Sequence, residues 1–135
     1  MIQSAKHSVF IVDDDEDDRL TMRDAFIENK HSHNYVFMQS GDQLMGHFAD
    51  DSTVKKHPSL ILLDLNMPGR DGREVLREMK KNDDLKPIPV IVVTTSSSAK
   101  DREASYKLGA NCFVTKPDSY QAMVALTDAI AKLWL

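Results

Sequence analysis

Four short runs of mostly apolar residues are spaced along the chain, at Ser8–Val12, Leu60–Leu63, Val90–Val93 and Cys112–Val114. These runs are too short for helices and are rich in Val and Ile. Runs that are apolar at nearly every position are typical of strands buried on both faces of a parallel sheet. A weaker run at Tyr35–Met38 predicts one further strand between the first two. The pattern therefore predicts a sheet of five strands.

Stretches with apolar residues at helical spacing separate and follow these strands, and each predicts a helix. Serines suited to capping begin the fourth stretch, and Asp118 with Gln121 forms a capping-box pattern at the start of the fifth. Strict alternation of strands and helices predicts an α/β fold, a doubly wound parallel sheet with helices on both faces. The five predicted helices are Asp15–Asn29, Gly41–Asp50, Asp71–Lys81, Ser98–Leu108 and Asp118–Leu133.

Composition narrows the class of protein. The 135 residues fit one domain, 1–135, and 41% hydrophobic with 28% charged residues is typical of a soluble globular protein. Apolar runs fall far short of the roughly 20 residues that span a membrane. Cys112 has no partner for an internal disulfide, which fits the reducing cytoplasm. A net charge of −4 without a basic cluster argues against direct binding of nucleic acid.

Polar residues with chemical potential follow the predicted strands. Asp13 and Asp14 follow the first strand, and Asp64 follows Leu60–Leu63. Thr94 ends another strand, and Lys116 follows the last one. The carboxyl ends of parallel strands share one edge, so these side chains should converge. Clustered carboxylates need a cation, and oxygen ligands suit Mg²⁺. With the metal and Lys116 neutralising phosphoryl oxygens, Asp64 would act as the nucleophile toward phosphorus.

The tokens VDDDEDD, LILLDLNMPGRDG, VIVVTT and CFVTKP, in this order, resemble the receiver domain of bacterial response regulators. The spacing agrees, since Thr94 lies 30 positions after Asp64 and Lys116 lies 22 positions after Thr94. The resemblance covers residues 8–133. It implies a flavodoxin-like sheet of order 2-1-3-4-5, a two-component signalling role, and a histidine kinase or phosphotransfer protein as phosphoryl donor.

The resemblance also implies a role for each matching position. Asp64 would be the phosphoacceptor, and Thr94 the hydroxyl that moves toward the phosphoryl group. The Lys116–Pro117 bond is expected to be cis, as in the family. Asp118 departs from the family, which commonly has an apolar residue after Lys-Pro. The remaining implied roles are direct and water-mediated metal binding for Asp14 and Asp13, a backbone carbonyl ligand from Asn66, an aromatic switch for Phe113 and the active-site lysine for Lys116.

Other interpretations of these residues are weaker. Asp15 to Asp18 are expected to do no more than favour the helix dipole. An EF-hand would need Gly where Asp18 stands. A phosphohydrolase of the haloacid dehalogenase type would need a second Asp at Asn66, and a flavin carrier would need a phosphate loop where the acids lie. His31 and His33 are expected in the polar loop His31–Asn34, and Asp50–Pro58 is another expected loop.

The last helix and the chain's end suggest how the signal leaves the domain. No output domain is expected after the last helix, so the message should pass by contact with an unknown downstream protein. Apolar residues cover an arc about twice the roughly 100° that a helix packed on a sheet needs. This surplus predicts a homodimer that includes the C-terminal helix. The Thr94-Thr95-Ser96 run is similar to single-domain regulators paired with phytochrome-type kinases.

Overall fold

The computed structural model describes residues 7–50 and 57–135, and its centre is one parallel sheet of five strands. The strand order is β2-β1-β3-β4-β5, which confirms the predicted flavodoxin-like topology. Every pairing between neighbouring strands is parallel. The strands are β1 (Ser8–Val12), β2 (Asn34–Met38), β3 (Leu60–Leu63), β4 (Val90–Thr94) and β5 (Cys112–Thr115).

Five helices alternate with the strands, as predicted, and each begins at a capping side chain. Ser98 Oγ accepts a hydrogen bond from Asp101 N at 3.2 Å, so a serine does cap the fourth helix. The predicted cap of the fifth helix is wrong, because Ser119 rather than Asp118 accepts from Ala122 N, at 3.1 Å. The helices are α1 (Glu16–Glu28), α2 (Gly41–Ala49), α3 (Gly72–Lys81), α4 (Ala99–Lys107) and α5 (Tyr120–Trp134).

The sheet has an apolar core on each face, as expected for strands buried on both sides. Residues such as Phe10 and Leu63 meet α3 on one face, whereas Ile11 and Leu62 meet α1 and α5 on the other. β5 lies at the edge of the sheet, so Cys112 is half-buried and not buried as the apolar run suggested. Among the described residues, no helix has the length and hydropathy of a membrane span.

The loops predicted from polar composition are partly visible. His31 and His33 lie in the connection between α1 and β2, as expected. Most of the Asp50–Pro58 segment lies outside the described residues. His31 Nε2 is 2.8 Å from Asp128 Oδ1 on α5, so the loop after α1 is held against the last helix.

The turn from β3 into α3 requires a residue without a side chain at Gly72. A Cβ there would lie 2.4 Å from the carbonyl oxygen of Asp64 and 2.8 Å from Leu65 Cα. The same turn is closed by a hydrogen bond from Gly72 N to the carbonyl oxygen of Leu65 at 3.0 Å. The first residue of α3 therefore packs directly against the backbone that carries Asp64.

Gly72→Ala is expected to lower the free energy of unfolding by about 1–3 kcal/mol, the usual effect of overpacking, because the backbone has to move. Gly46→Ala in α2 is the control, since a Cβ there meets nothing within 4 Å. Alanine should leave that helix unchanged or stabilise it by up to about 1 kcal/mol. Urea unfolding of both variants measures the difference. Equal stability in the two variants would show that the close contact at Gly72 is relieved without cost.

Candidate functional site

Three carboxylates meet at the carboxyl edge of the sheet, as the sequence predicts. Asp13 and Asp14 directly follow β1, and Asp64 directly follows the neighbouring strand β3. One oxygen from each carboxylate lies within 4.8 Å of the others. Asp13 and Asp64 are only 1% and 6% exposed, whereas Asp14 faces solvent. The group therefore has a buried floor and one ligand that opens to water.

Lys116 enters the same pocket from the loop after β5. Its Nζ is 2.7 Å from Asp13 Oδ2 and 3.5 Å from Asp64 Oδ2, and its side chain is 10% exposed. The backbone N–H of Lys116 donates to the carbonyl oxygen of Thr94 at 2.7 Å, which fixes the loop to the end of β4. The Lys116–Pro117 bond is trans, since the described chain contains no cis peptide bond. The expected cis bond is therefore not what aims the lysine, and the hydrogen bond to Thr94 holds its backbone instead.

The charges of this pocket are only partly compensated. Burial raises the pKa of Asp13 above its ordinary value, although the close ammonium of Lys116 and the hydrogen bond from Asp15 N–H oppose the shift. Burial alone would lower the pKa of Lys116, but the close carboxylates of Asp13 and Asp18 outweigh it, so this pKa is raised. Lys116 therefore stays protonated, while the buried carboxylate still favours an added positive charge.

The same pocket suits a divalent cation. Among the described residues, Asp13 Oδ2 is buried and has no hydrogen-bond partner, although Lys116 Nζ lies 2.7 Å away as an ion-pair contact. The candidate ligand atoms are all carboxylate oxygens, and the exposed Asp14 leaves room for water. Hard cations that keep part of their water shell prefer such oxygen sites. The residues present therefore fit a hard divalent cation.

Residues at the start of α1 do more in this pocket than sequence reasoning assigned to them. Asp15 caps α1, accepting from Asp18 N at 3.1 Å, and its own N–H donates to Asp13 Oδ1 at 2.9 Å. Asp18 Oδ2 lies 2.7 Å from Lys116 Nζ, so the view that this residue only favours the helix dipole is wrong. Arg19, 7% exposed, donates from Nη1 to the carbonyl oxygen of Asp13 at 2.6 Å. Sequence reasoning missed Arg19. The one signal that could have found it is a cationic residue at a buried position of the helix, about one turn after the acidic residues.

The end of β4 connects the pocket to α3 and α4. Thr94 is fully buried, and its Oγ1 lies 3.4 Å from Ser96 N. Ser96 Oγ donates to Asp101 Oδ2 at 2.6 Å, and Arg73 Nη2 donates to Asp101 Oδ1 at 3.0 Å. These two hydrogen bonds, led by that from Ser96, hold the pKa of Asp101 below its ordinary value. The loop after Thr94 is thus fastened to α4, and the same Asp101 side chain joins α4 to α3.

The other two residues predicted for the site lie beside it. Asn66 is exposed in the β3–α3 turn, with its N–H 3.4 Å from Asp64 Oδ1. Phe113 is half-buried on β5, packs against the core that faces α3, and donates its N–H to Tyr106 Oη at 3.1 Å. The metal-ligand role of Asn66 and the switching role of Phe113 stay predictions.

A parallel sheet of order 2-1-3-4-5, with an acidic cation site and a lysine at its carboxyl edge, defines a class of phosphoryl-accepting signalling domains. The model of the response regulator receiver domain family matches residues 9–128. The chain therefore belongs to the response regulator receiver domain family, and it acts in two-component signalling as a domain phosphorylated on an aspartate beside a divalent-metal site.

Similar proteins include response regulators from Synechocystis and from phytochrome signalling systems. Response regulator Rcp1 of Synechocystis sp. is 36% identical over 129 residues, which are 94% of this chain and 88% of Rcp1. The crystal structure of the Mn²⁺-bound form of Rcp1 has a TM-score of 0.85 at 35% identity and covers 96% of this chain and 94% of the other. The phosphorylated cyanobacterial phytochrome response regulator RcpA gives 0.88 at 34% identity, with the same coverage. The bacteriophytochrome response regulator RtBRR gives 0.78 at 31% identity, covering 97% of this chain and 80% of its own.

Mg²⁺ is expected to raise the melting temperature, because it binds the native carboxylate group and the unfolded chain has no such site. Asp14→Ala should remove most of this shift, since it deletes the exposed ligand without disturbing the buried residues. Differential scanning fluorimetry over a magnesium titration measures both. A control titration with potassium at matched ionic strength separates binding from screening. A wild-type melting curve insensitive to magnesium would contradict the cation site.

Proposed function

We propose that Asp64 is the residue that accepts the phosphoryl group. The observation that supports this proposal is that, within residues 7–50 and 57–135, the Asp64 carboxylate makes only long contacts, 3.5 Å from Oδ2 to Lys116 Nζ and 3.4 Å from Oδ1 to Asn66 N. Asp13, the other buried carboxylate, accepts from Asp15 N at 2.9 Å and lies 2.7 Å from Lys116 Nζ. Both oxygens of Asp13 thus have a nitrogen within 3 Å, whereas both oxygens of Asp64 are farther from theirs, which leaves Asp64 more available for attack on phosphorus.

The reaction is a transfer between two nucleophiles. An oxygen of Asp64 bonds to phosphorus, and the bond from phosphorus to the donor's histidine nitrogen breaks, with the electron pair leaving on that nitrogen. Lys116 donates hydrogen bonds to the phosphoryl oxygens and stabilises their charge. Later, water attacks phosphorus, and the bond to the Asp64 oxygen breaks to regenerate the carboxylate. The domain thus catalyses its own phosphorylation and dephosphorylation and has no separate substrate.

The metal in this proposal is Mg²⁺. Asp14 and Asp64 would hold it directly, Asp13 would hold it through water, and Asn66 would add its backbone carbonyl. When bound, the cation neutralises charge on the phosphoryl oxygens. Asp13 also orients Lys116, and Arg19 fixes the backbone of Asp13. The bound cation would compensate the negative charge that Lys116 leaves in the pocket.

The switch begins at Thr94, whose hydroxyl would turn toward the phosphoryl group, with Phe113 following inward. The Thr94 Oγ1–Ser96 N contact of 3.4 Å is long, so little is lost when the hydroxyl moves. Such movement changes the loop that Ser96 fastens to Asp101 and hence the surface of α4. The altered surface would change affinity for a downstream protein.

The proposed context is a single receiver domain, residues 1–135, working in the cytoplasm. The donor would be a histidine kinase or phosphotransfer protein, and the similarity to phytochrome response regulators favours a phytochrome-type kinase. The downstream partner would be a protein, because net charge is −4 and the sequence has no basic cluster for nucleic acid.

Asp64→Asn is expected to abolish phosphorylation, because the amide keeps the shape of the side chain and loses the nucleophile. Acetyl phosphate with Mg²⁺ should add one acid-labile phosphoryl group to the wild type, detected by intact-mass spectrometry. Asp83→Asn, an exposed carboxylate in the turn after α3, is the matched control and should label fully. Undiminished labelling of Asp64→Asn would assign the phosphoryl group to another residue.

We also propose that the domain forms a homodimer through a surface that includes α5. The helix buries Met123 and Ile130 against the sheet and half-buries Leu126 and Trp134, so less of the predicted apolar arc is free than its width suggested. Leu133 is nevertheless 78% exposed. Ala122, Ala125 and Ala129 are exposed on the same side of the helix, and a contiguous exposed apolar stripe favours a partner surface.

Leu133→Ser is therefore expected to weaken self-association at least severalfold, because it removes the exposed apolar group. Light scattering at tens of micromolar protein, with and without a beryllofluoride phosphoryl mimic, measures the mass. Val36→Thr on β2, 37% exposed at the other edge of the sheet, is the control and should leave the mass unchanged. A wild type that is monomeric under both conditions would refute the dimer.

A further inference from the structure

Asp18 contacts the pocket lysine although it does not belong to the carboxylate group that suits a metal. Its Oδ2 is 2.7 Å from Lys116 Nζ, the same distance as that from Nζ to Asp13 Oδ2. The distance from Nζ to Asp64 Oδ2 is longer, 3.5 Å. The lysine ammonium is therefore engaged most closely by two carboxylates other than the proposed phosphoacceptor.

These two carboxylates differ in what a bound cation does to them. Asp13 is a member of the candidate metal group with Asp14 and Asp64, so a cation compensates its charge. Asp18 is outside that group, and among the described residues its carboxylate contacts Lys116 alone. When a cation occupies the pocket, Asp18 is the carboxylate that still competes for the lysine.

The backbone of α1 holds Asp18 in this position. Its N–H donates to the capping carboxylate of Asp15 at 3.1 Å, which fixes the first turn of the helix. The Asp18 side chain is 40% exposed, whereas that of Lys116 is 10% exposed. The contact thus lies at the mouth of the pocket, with the lysine inside and the carboxylate at the solvent boundary.

We propose that Asp18 is a counter-ion that competes with the phosphoryl group for Lys116 and so limits how strongly the pocket retains a phosphoryl group. A carboxylate at 2.7 Å compensates much of the ammonium charge and takes one of its three N–H donors. Less positive potential then acts on the phosphoryl oxygens. This inference rests on the proposed roles of Asp64 and Lys116, and it makes Asp18 a positioning residue that acts through the lysine.

Asp17 provides a matched comparison. It carries the same charge in the same first turn of α1 and is exposed. Within the described part of the chain, it forms no ion pair with Lys116. Neutralising either residue changes the helix dipole interaction and the net charge equally. A difference between Asp17→Asn and Asp18→Asn therefore isolates the contact with Lys116.

The experiment measures the affinity for beryllofluoride, a phosphoryl mimic, at saturating Mg²⁺ by isothermal titration calorimetry. Asp18→Asn is expected to lower the dissociation constant by about two- to fivefold relative to Asp17→Asn, the range of a partly exposed ion pair. Asp18→Glu keeps a carboxylate near the lysine and should stay close to the wild type. Magnesium affinity, measured by thermal shift, should change equally in both asparagine variants.

The possible results separate this inference from the function on which it rests. Equal beryllofluoride affinity in Asp17→Asn and Asp18→Asn would overturn the competition, as would weaker binding in Asp18→Asn, which would mean that Asp18 aims the lysine productively. A wild type that binds magnesium but neither beryllofluoride nor a phosphoryl group would instead remove the proposed function of Asp64. Melting curves without ligand check that both variants fold.

Discussion

Electrostatic repulsion between neighbouring carboxylates is the constraint on which the functional edge of this protein depends. β1 and β3 are adjacent in the sheet, so Asp13 and Asp64 necessarily lie side by side at its carboxyl edge. Lys116 reaches them from the far side of β4. Among the described residues, its ammonium is the cation that contacts both of these carboxylates. The raised pKa of Asp13, due first to burial, indicates that one lysine does not fully compensate the group. A divalent cation would bring the three carboxylates and the one ammonium to neutrality.

The position of the lysine and the position of the β4–α4 loop are linked by hydrogen bonds. Lys116 N donates to the carbonyl oxygen of Thr94 at 2.7 Å, and Thr115 Oγ1 donates to the carbonyl oxygen of Ser96 at 2.9 Å. Ser96 in turn donates to Asp101 in the first turn of α4. In α4 itself only Ser105 is buried, so this helix has little apolar packing to hold it. Elements with few buried apolar contacts open and shift at low cost in free energy, which suits α4 to report changes at the pocket.

Hydrophobic periodicity predicted the sheet well, because strands buried on both faces leave an unmistakable apolar pattern. It also predicted β5 as a strand but not its burial, because the residues of β5 are as apolar as those of a central strand although the strand lies at the edge. Local capping was also ambiguous: Asp118 matched a capping box, but the adjacent Ser119 forms the bond. The predicted convergence of Asp13, Asp64 and Lys116 was correct, since strand order determines it. The contact between Asp18 and Lys116 joins residues 98 positions apart, and no local pattern encodes it.

The acidic run after β1 therefore divides its negative charge among separate tasks. Asp13 and Asp14 belong to the cation site, and Asp15 caps α1 while holding Asp13 Oδ1 through its N–H. Asp18 faces the lysine, and Arg19 secures the Asp13 carbonyl from the buried side of the helix. Each task requires a fixed distance from the end of β1, and the first turn of a helix supplies those distances. Because like charges so close together destabilise the metal-free protein, the run keeps stability low where binding of a cation can restore it.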